Sequence, residues 1–449
     1  MKININENIV KIITKINHIG NRAYVCQNTL REILMNETPS FYTLLTDANI
    51  KKIKTIFNKV LENREIKNCV TIIDNQMVIR VYYKSDDAPK DNQEFFKGVL
   101  KKSDFTINSL AYSPDGEMLD FFGGMSDLEN KVIKFVECDS LNLSEKPARM
   151  IRAIRYLAQF GYKIEDDTIQ MIKKCSMLIK RAQSEKVREE LDKILMSPNP
   201  ETISLLHEYG LMQYILPEVD ACFSVPQRNK YHIYNVGEHI TYAVKESAND
   251  TVVRWSALLH DIGKPSSKSV DSNGIIHFYG HHKQSVLLAT DILRRLKFDN
   301  KTAEDILVLI ENHDVRIEPV MLSVKKMMAR TGKDLFAKLL LLQEADNKAK
   351  NVKYLNEKLN KINEVRKIYQ KIMLERQPFR VSDLAVTGRD LNKIGFKPGH
   401  EVADTLMILL EEVLINPAYN TKDYLLKRAK EIRIKKISKK DKYNRPRQL

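Results

Sequence analysis

Histidine and carboxylate side chains are concentrated in the middle of the chain, in an order that could support metal chemistry. Most of the ten histidines fall within residues 232–313, and one directly precedes an aspartate at the end of the apolar run WSALLHDIG. A buried ionisable pair is costly unless another charge or a metal ion matches it. The candidate metal ligands are, in chain order, His239, His260, Asp261, His281 with His282 as its alternative, His313 and Asp346.

The ligand types in this set favour a hydrolytic metal centre. Imidazole nitrogens and carboxylate oxygens without cysteine suit Mn, Fe, Ni, Zn or Mg, and the sequence does not choose among them. An ion of this kind activates water and polarises a phosphoryl oxygen, so the expected chemistry is hydrolysis of a phosphoester. We expect His260, Asp261 and Lys264 to be catalytic, and we expect Lys264 and Arg316 to hold phosphate.

The elements that must position these residues change in type along the chain. Segments 21–27 and 70–84 are rich in β-branched and aromatic residues, which predicts strands, whereas segment 48–63 has the apolar spacing of a helix. Beyond about residue 143, apolar residues recur at three- and four-residue steps almost to the C-terminus. The expected fold class is α+β, with an antiparallel sheet in a small N-terminal α/β domain and a mostly helical remainder.

Composition and net charge limit the kinds of molecule that this chain is expected to bind. The net charge of +15, with basic residues clustered in segment 425–449, favours RNA, because each neutralised phosphate releases counterions. No apolar run is long enough to span a bilayer and the N-terminus lacks the apolar core of a signal peptide, so we expect a cytoplasmic protein without a membrane partner. The five scattered cysteines indicate reduced thiols. The sequence indicates no oligomeric state.

The order of the histidine set resembles that of HD-superfamily phosphohydrolases. In that family the first histidine, the His-Asp pair and the last aspartate hold one metal ion, and the intervening histidines can build a second site. The segment GHHKQS matches the family's Gly-His-Glu segment, which makes His281 the ligand and places His282 at the usual glutamate. The resemblance implies an HD domain over residues 217–350.

The chain as a whole resembles class II tRNA nucleotidyltransferases and poly(A) polymerases. Three segments carry most of the resemblance: KSDFTINSLAYSPDGEMLDFFGG, SEKPARMIRAIRYLAQFGY and VTGRDLNKIGFKPGHEVADTLMILLEEVL. The resemblance implies a nucleotidyltransferase-like head at 1–138 and an RNA-binding-like helical neck at 139–216. It also implies a helical tail with a basic C-terminus at 351–449.

The polymerase site implied by this resemblance is degenerate. NRAYVCQNTLREIL places Gln27 and Asn28 at the two glycines that admit the triphosphate, and PSFYTLLT places Phe41 and Thr43 at the two metal-binding aspartates. Carboxylates two residues apart share one face of a strand and clamp divalent ions, which neither replacement can do. Lys146 replaces an aspartate that helps to read the incoming base, and a lysine can only donate hydrogen bonds.

Other positions of the nucleotide-site motifs are retained, and we interpret them as support for the fold, because the metal carboxylates are absent. These residual positions are Arg31, Asp104, Asn108, Arg149 and Arg152.

Three functions are compatible with these patterns. The first is a tRNA-nucleotidyltransferase-family protein with an inactive head and an intact HD domain. That domain would be a metal-dependent phosphohydrolase, and the resemblance implies nucleotides or RNA ends such as 2′,3′-cyclic phosphates as substrates. The second is an active CCA-adding or poly(A)-type enzyme, and the third is a non-catalytic RNA-binding protein. The expected partners are a tRNA or tRNA-like helix and a nucleotide or RNA-end phosphate.

Overall fold

The computed structural model describes residues 3–39, 41–63, 66–74, 77–227, 233–272 and 274–443, with the side chains of the last helix described to residue 434. The chain divides into two compact units, Met1–Ile215 and Leu216–Leu449. No helix in these ranges has both the length and the apolar character needed to cross a bilayer.

The first unit contains a seven-stranded sheet with the strand order β3-β4-β5-β2-β1-β6-β7. Adjacent strands run antiparallel except β2 and β5, which run parallel, so the sheet is mixed. Two further short strands pair in parallel. The strands are β1 Ala23–Cys26, β2 Tyr42–Thr46, β3 Val60–Glu62, β4 Cys69–Asp74, β5 Met77–Tyr83, β6 Leu110–Tyr112, β7 Met118–Asp120, β8 Val132–Ile133 and β9 Lys163–Ile164.

Helices cover both faces of this sheet, because its strands are apolar on both sides. One core gathers residues such as Ile9, Ile13 and Val25, and the other gathers Tyr24, Phe96 and Leu119. The helices of the unit are α1 Glu7–His18, α2 Gln27–Leu34, α3 Ile50–Ile56, α4 Asn92–Leu100, α5 Gly124–Glu129, α6 Ser140–Glu145, α7 Arg149–Phe160, α8 Asp166–Cys175, α9 Ser184–Leu195, α10 Leu205–Glu208 and α11 Met212–Ile215.

The described residues of the second unit are helical or in loops, apart from one short hairpin. Its elements are α12 Pro217–Asp220, α13 Val236–Glu246, α14 Thr251–Leu259, β10 Ser269–Val270, β11 Ile276–His277, α15 His281–Arg295, α16 Asn300–Asn312, α17 Met321–Thr331, α18 Lys333–Lys348, α19 Leu355–Leu374, α20 Gly388–Lys393, α21 His400–Ile415 and α22 Lys422–Tyr443. The end of the basic segment, residues 444–449, lies outside the described residues.

Helix α14 is the centre of the second unit. Every residue from Val252 to Leu259 is buried, and α13, α16 and α18 pack against it. A helix that is apolar on all sides belongs inside a bundle, where its ends can be fixed by neighbours. Asp250 caps its N-terminus by accepting a hydrogen bond from the backbone N–H of Val253.

The expected α+β class is confirmed: a small head with a sheet precedes a helical body. The sheet is mixed and not antiparallel throughout as expected, because β2 and β5 run parallel. The division into four parts at residues 138, 216 and 350 stays a prediction.

Candidate functional site

Five segments of the second unit bring the predicted metal ligands together. His239 lies within α13, His281 begins α15 and Asp346 lies near the end of α18. His260 and Asp261 follow α14 directly, and His313 follows α16. All six side chains are buried, which the sequence indicated for the His260-Asp261 pair.

The first half of the cluster surrounds one oxygen of Asp261. Asp261 Oδ2 lies 3.1 Å from His260 Nε2 and 3.3 Å from His239 Nε2. Asp346 Oδ1 lies 3.0 Å from the same nitrogen of His239 and 3.6 Å from His260 Nε2. Four ligand atoms therefore converge from three helical segments.

The second half surrounds the other oxygen of the same carboxylate. Asp261 Oδ1 lies 3.3 Å from His281 Nε2 and 3.7 Å from His313 Nε2. The two imidazole nitrogens are 3.4 Å apart. Because Asp261 presents one oxygen to each half, it has the geometry of a carboxylate that bridges two cations.

The backbone fixes how these imidazoles are oriented. The Nδ1 atoms of His260, His281 and His313 lie 2.7–2.9 Å from the carbonyl three residues earlier, and His239 Nδ1 lies 3.2 Å from the carbonyl of Ala349. A carbonyl only accepts hydrogen bonds, so each Nδ1 carries a proton, and a ring that is neutral turns its Nε2 lone pair inwards. Converging lone pairs repel unless a cation lies between them, so the donor set fits a divalent metal ion.

Nearby positive charges match the carboxylates of the cluster. Burial would raise the pKa of Asp261, but His260 and Lys264 hold it well below its ordinary value. Burial opposes protonation of His260, yet Asp261 and Asp346 outweigh that effect and raise the pKa of the imidazole to about 9. Positive charge is therefore favoured at the place in the cluster where a metal ion would bind.

A cavity of about 350 Å³ opens onto the second half of the cluster. His281, His282 and Lys264 line it, and His281 is the member of the histidine pair that faces Asp261. The ammonium group of Lys264 is buried and contacts Asp261 Oδ2 at 2.6 Å and Gln227 Oε1 at 2.7 Å. Arg316 is not part of this cavity: it lines an adjoining one of about 510 Å³ and pairs with Glu318.

One residue of the cluster was not anticipated from the sequence. Lys350 lies one helical turn beyond Asp346, and its Nζ is 2.5 Å from Asp346 Oδ2. It lines both cavities, and although burial would raise the pKa of Asp346, the charge of Lys350 helps to lower it. Lys350 lies just beyond the end of α18, but its four-residue spacing from Asp346 was a usable signal, because side chains four residues apart come close together along a helix and its last turn.

The head has no carboxylate at the two aspartate positions of the motif. Phe41 precedes β2, and the guanidinium of Arg80 lies 5.2 Å from the centre of its ring. Thr43 is buried, is the register partner of Arg80, and donates its backbone N–H to Thr29 Oγ1. In the part of the chain that the structure describes, both clusters of three or more metal-ligating side chains belong to the second unit.

The first of the two glycine positions of the head keeps a glycine-like backbone. Gln27 has a φ of 57°, in the left-handed region that glycine enters freely and other residues enter at a cost of roughly 1 kcal/mol. Asn28 follows it in the first turn of α2. Gln27 and Lys146 both line a head cavity of about 500 Å³, so two replaced motif positions lie together.

The retained motif residues are held in internal contacts. Asp104 pairs with Arg149 and Arg152, and Arg152 also contacts Glu190 at 2.9 Å. Arg31 is buried and donates hydrogen bonds to Asn108 and to the hydroxyl of Tyr156. These contacts agree with a fold-supporting role, which stays a prediction.

Family models match three stretches of the chain. A family described as "Poly A polymerase head domain" matches residues 23–134, and one described as "Probable RNA and SrmB- binding site of polymerase A" matches residues 161–223. A family model for a second domain of tRNA nucleotidyltransferases matches residues 275–429.

Curated relatives share 28–34% of aligned residues. The "A-adding tRNA nucleotidyltransferase" of Deinococcus radiodurans is 29% identical over 325 residues, which cover 70% of this chain and 74% of that protein. The "Multifunctional CCA protein" of Tolumonas auensis is 30% identical over 226 residues, and that of Neisseria gonorrhoeae is 34% identical over 215 residues. These two matches cover 48% and 46% of this chain and span only 54% and 50% of the relatives' own lengths.

Solved structures share the fold over almost the whole chain. The Bacillus stearothermophilus CCA-adding enzyme in complex with CTP superposes with a TM-score of 0.70 at 18% identity, covering 96% of this chain and 98% of that one. The Thermotoga maritima CCA-adding enzyme gives 0.59 at 17% identity and covers 94% of each chain. The family models that match the head, neck and body, together with these relatives, support membership of the tRNA nucleotidyltransferase family, and the solved structures show the same fold.

Proposed function

We propose that this family member is a metal-dependent phosphohydrolase whose active centre is the histidine-aspartate cluster of the second unit. The observation that carries the proposal is the convergence of four imidazole Nε2 atoms on the two oxygens of Asp261, each ring held by a backbone carbonyl. An ion bound there would supply an activated water and polarise a phosphoryl oxygen.

The chain's own residues would then orient the substrate. Lys264 and Lys350 place two ammonium groups beside the carboxylates, where they can contact the phosphate oxygens that a metal ion leaves exposed. The cavity admits a phosphoester from the side of His281 and His313. Substrates of the proposed class are nucleotides and RNA ends, including 2′,3′-cyclic phosphates, and the RNA partner would be a tRNA.

Nucleotidyl transfer by the head is the second candidate, and the comparisons favour it. Relatives named for A addition and for CCA activity match this chain, and a head-domain family model covers residues 23–134. Against it stand Phe41 and Thr43 at the aspartate positions, with the cationic side chain of Arg80 over Phe41. Loss of both metal carboxylates should reduce transfer by several orders of magnitude.

One experiment tests both candidates with the full-length protein. Transfer is measured as incorporation of labelled CTP and ATP into tRNA that lacks its CCA end. Hydrolysis of nucleotides and 2′,3′-cyclic nucleotides is measured in parallel with Mn, Mg, Ni, Zn and Fe. The variants His260→Ala and Asp261→Ala are compared with His400→Ala, whose histidine is exposed and lies outside the cluster.

The expected result is hydrolysis that needs metal, that is lost in the two cluster variants and that persists in His400→Ala, without incorporation of label. Label incorporation that depends on the head would support the second candidate. If no substrate is hydrolysed with any of the metals, the proposed hydrolase is wrong.

A further inference from the structure

An aromatic pair lies at the rim of the cavity that contains the metal cluster. The rings of His277 and Tyr279 are stacked, with an interplanar angle of 10° and 5.1 Å between their centres. Both residues line the cavity of about 350 Å³ that also contains Asp261, His281 and His313. The side chain of Tyr279 is 76% exposed, so its outer face is open to a ligand.

The hairpin β10–β11 fixes the position of this pair. His277 is the register partner of Ser269, and its Nε2 lies 2.9 Å from Asp271 Oδ2. Gly274 lies in the turn with a φ of 76°, a conformation that suits glycine. The imidazole is therefore held at one edge by a carboxylate, and it supports the Tyr279 ring from one side.

The chain also links the pair to the metal cluster. Tyr279 is two residues before His281, and between His277 and Tyr279 the backbone carbonyl of Phe278 lies 2.9 Å from His281 Nδ1. The Phe278 ring is covered by the ammonium group of Lys264, whose Nζ is 5.5 Å from its centre. Among His277, Phe278 and Tyr279, it is therefore Tyr279 whose ring has an exposed face beside the cluster.

A stacked pair with one open face is a suitable surface for a nucleobase. Stacking of bases on aromatic side chains is tolerant of base identity, because every base has a π-face. The cavity is within the range of volumes that small-molecule sites occupy. One substrate could therefore place its phosphate near His281 and its base on Tyr279 within the same cavity.

We propose that the His277–Tyr279 pair is a stacking platform for the base of the substrate, so that the site selects nucleoside phosphoesters over phosphoesters without a base. This inference rests on the proposed hydrolase and makes Tyr279 a residue that determines specificity without taking part in bond cleavage. The substrate would be a mononucleotide or the last nucleotide of an RNA.

The test compares two substrates that differ only in the base: cytidine 2′,3′-cyclic phosphate and methyl ribofuranoside 2′,3′-cyclic phosphate. The full-length protein is compared with Tyr279→Ala, Tyr279→Trp and the control Leu287→Ala, which truncates an exposed apolar side chain outside the cavity. Tyr279→Ala should raise KM for the cytidine substrate by about 5- to 150-fold, the range that one stacked base is worth. The same variant should leave kinetics with the base-free substrate unchanged, and Tyr279→Trp should restore the low KM.

Binding measured by calorimetry separates this inference from the proposed hydrolase. Cytidine 2′-monophosphate and ribose 5-phosphate are titrated into the same proteins with and without added Mn²⁺. If the wild-type chain hydrolyses nothing, the hydrolase fails, while tighter binding of the cytidine ligand that is lost in Tyr279→Ala would still support the platform. Equal binding of both ligands, or equal effects of Tyr279→Ala on both substrates, would overturn it.

Discussion

Asp261 is the residue on which both halves of the cluster depend, because each of its oxygens faces a different pair of histidines. His281 contributes only to the half around Oδ1, and Asp346 only to the half around Oδ2. The geometry thus predicts unequal effects of single substitutions on metal content.

We expect Asp261→Ala to abolish tight metal binding, because both halves lose a ligand. His281→Ala should remove one ion and leave the first half intact, where Asp261 Oδ2 adds a fourth ligand to His239, His260 and Asp346, whose ligand atoms lie within 4.8 Å of one another. Metal content after dialysis, measured by mass spectrometry, checks both outcomes. Identical losses in the two variants would argue against a bridging carboxylate.

In the head, Asp104 is expected to stabilise the fold through its two arginine partners. Its side chain is 13% exposed, and those of Arg149 and Arg152 are 8% and 28% exposed. Removal of one partner of a mostly buried ion pair costs about 3–5 kcal/mol, because the other charges lose their match. Asp104→Ala should therefore lower the midpoint of urea unfolding, and an unchanged midpoint would show that these residues are free to serve another role.

The types and order of the six ligands were sufficient to predict that they form one cluster, but Lys350 was not predicted. The sequence could not show that Arg316 lines a different cavity from Lys264. Lys264 follows Asp261 by three residues and is held by the same turn, whereas the position of Arg316 depends on how α18 and α19 pack. Contacts set by local spacing were predictable, and contacts set by packing were not.

At the scale of elements, the close approach of two segments positions His281. Gly263 follows the His260-Asp261 pair, and a Cβ atom there would lie 2.3 Å from the carbonyl oxygen of His281 and 2.5 Å from the backbone nitrogen of Ser285. The backbone N–H of Gly263 also donates a hydrogen bond to Ser285 Oγ. The first turn of α15 can therefore pack here only against a residue without a side chain.

Gly263→Ala should displace α15 and destabilise the second unit by about 1–3 kcal/mol, the usual cost of overpacking. Metal affinity should fall with it, because His281 begins that helix. Gly98→Ala is the control: Gly98 lies within α4, and an added Cβ would meet no neighbouring atom within 4 Å, so the stability gain is about 0.5–1 kcal/mol. Urea unfolding and metal titration distinguish the two variants.

The sequence predicted the positions of the helices better than the arrangement of the strands in the sheet. Period-two patterns indicate that a strand exists, but they do not fix its partner. The parallel pairing of β2 with β5 joins strands with two others between them in sequence, which no local pattern encodes. Helical periodicity, in contrast, predicted helices almost throughout the chain beyond residue 143, where the structure has α7 to α22.

At the scale of the whole molecule, all candidate ligands belong to Leu216–Leu449. A ligand that binds only the folded state stabilises it by about 2.7 kcal/mol when its concentration is one hundred times Kd. Metal ions should therefore protect the second unit and leave the sheet unit unaffected.

Hydrogen exchange with and without Mn²⁺ checks this expectation peptide by peptide. We expect slower exchange in α13, α14, α16 and α18, whose residues surround the cluster, and no change in β1–β7. His260→Ala should abolish the difference. Protection of the strand that contains Thr43 would instead reveal a metal site in the head.

His260 and His313 also cap the C-terminal ends of the helices that precede them. The Nδ1–H groups of His260 and His313 bond to the carbonyls of Ala257 and Ile310, which lie in the final turns of α14 and α16 and have no partner further along the helix. A cysteine or aspartate at either position could coordinate a cation, but it could not donate a hydrogen bond to that carbonyl. The buried carbonyl would then lack a hydrogen-bond donor, at a cost of about 1–3 kcal/mol. Replacement of either histidine by another type of ligand would therefore require paired substitutions, one for the ion and one for the end of the helix.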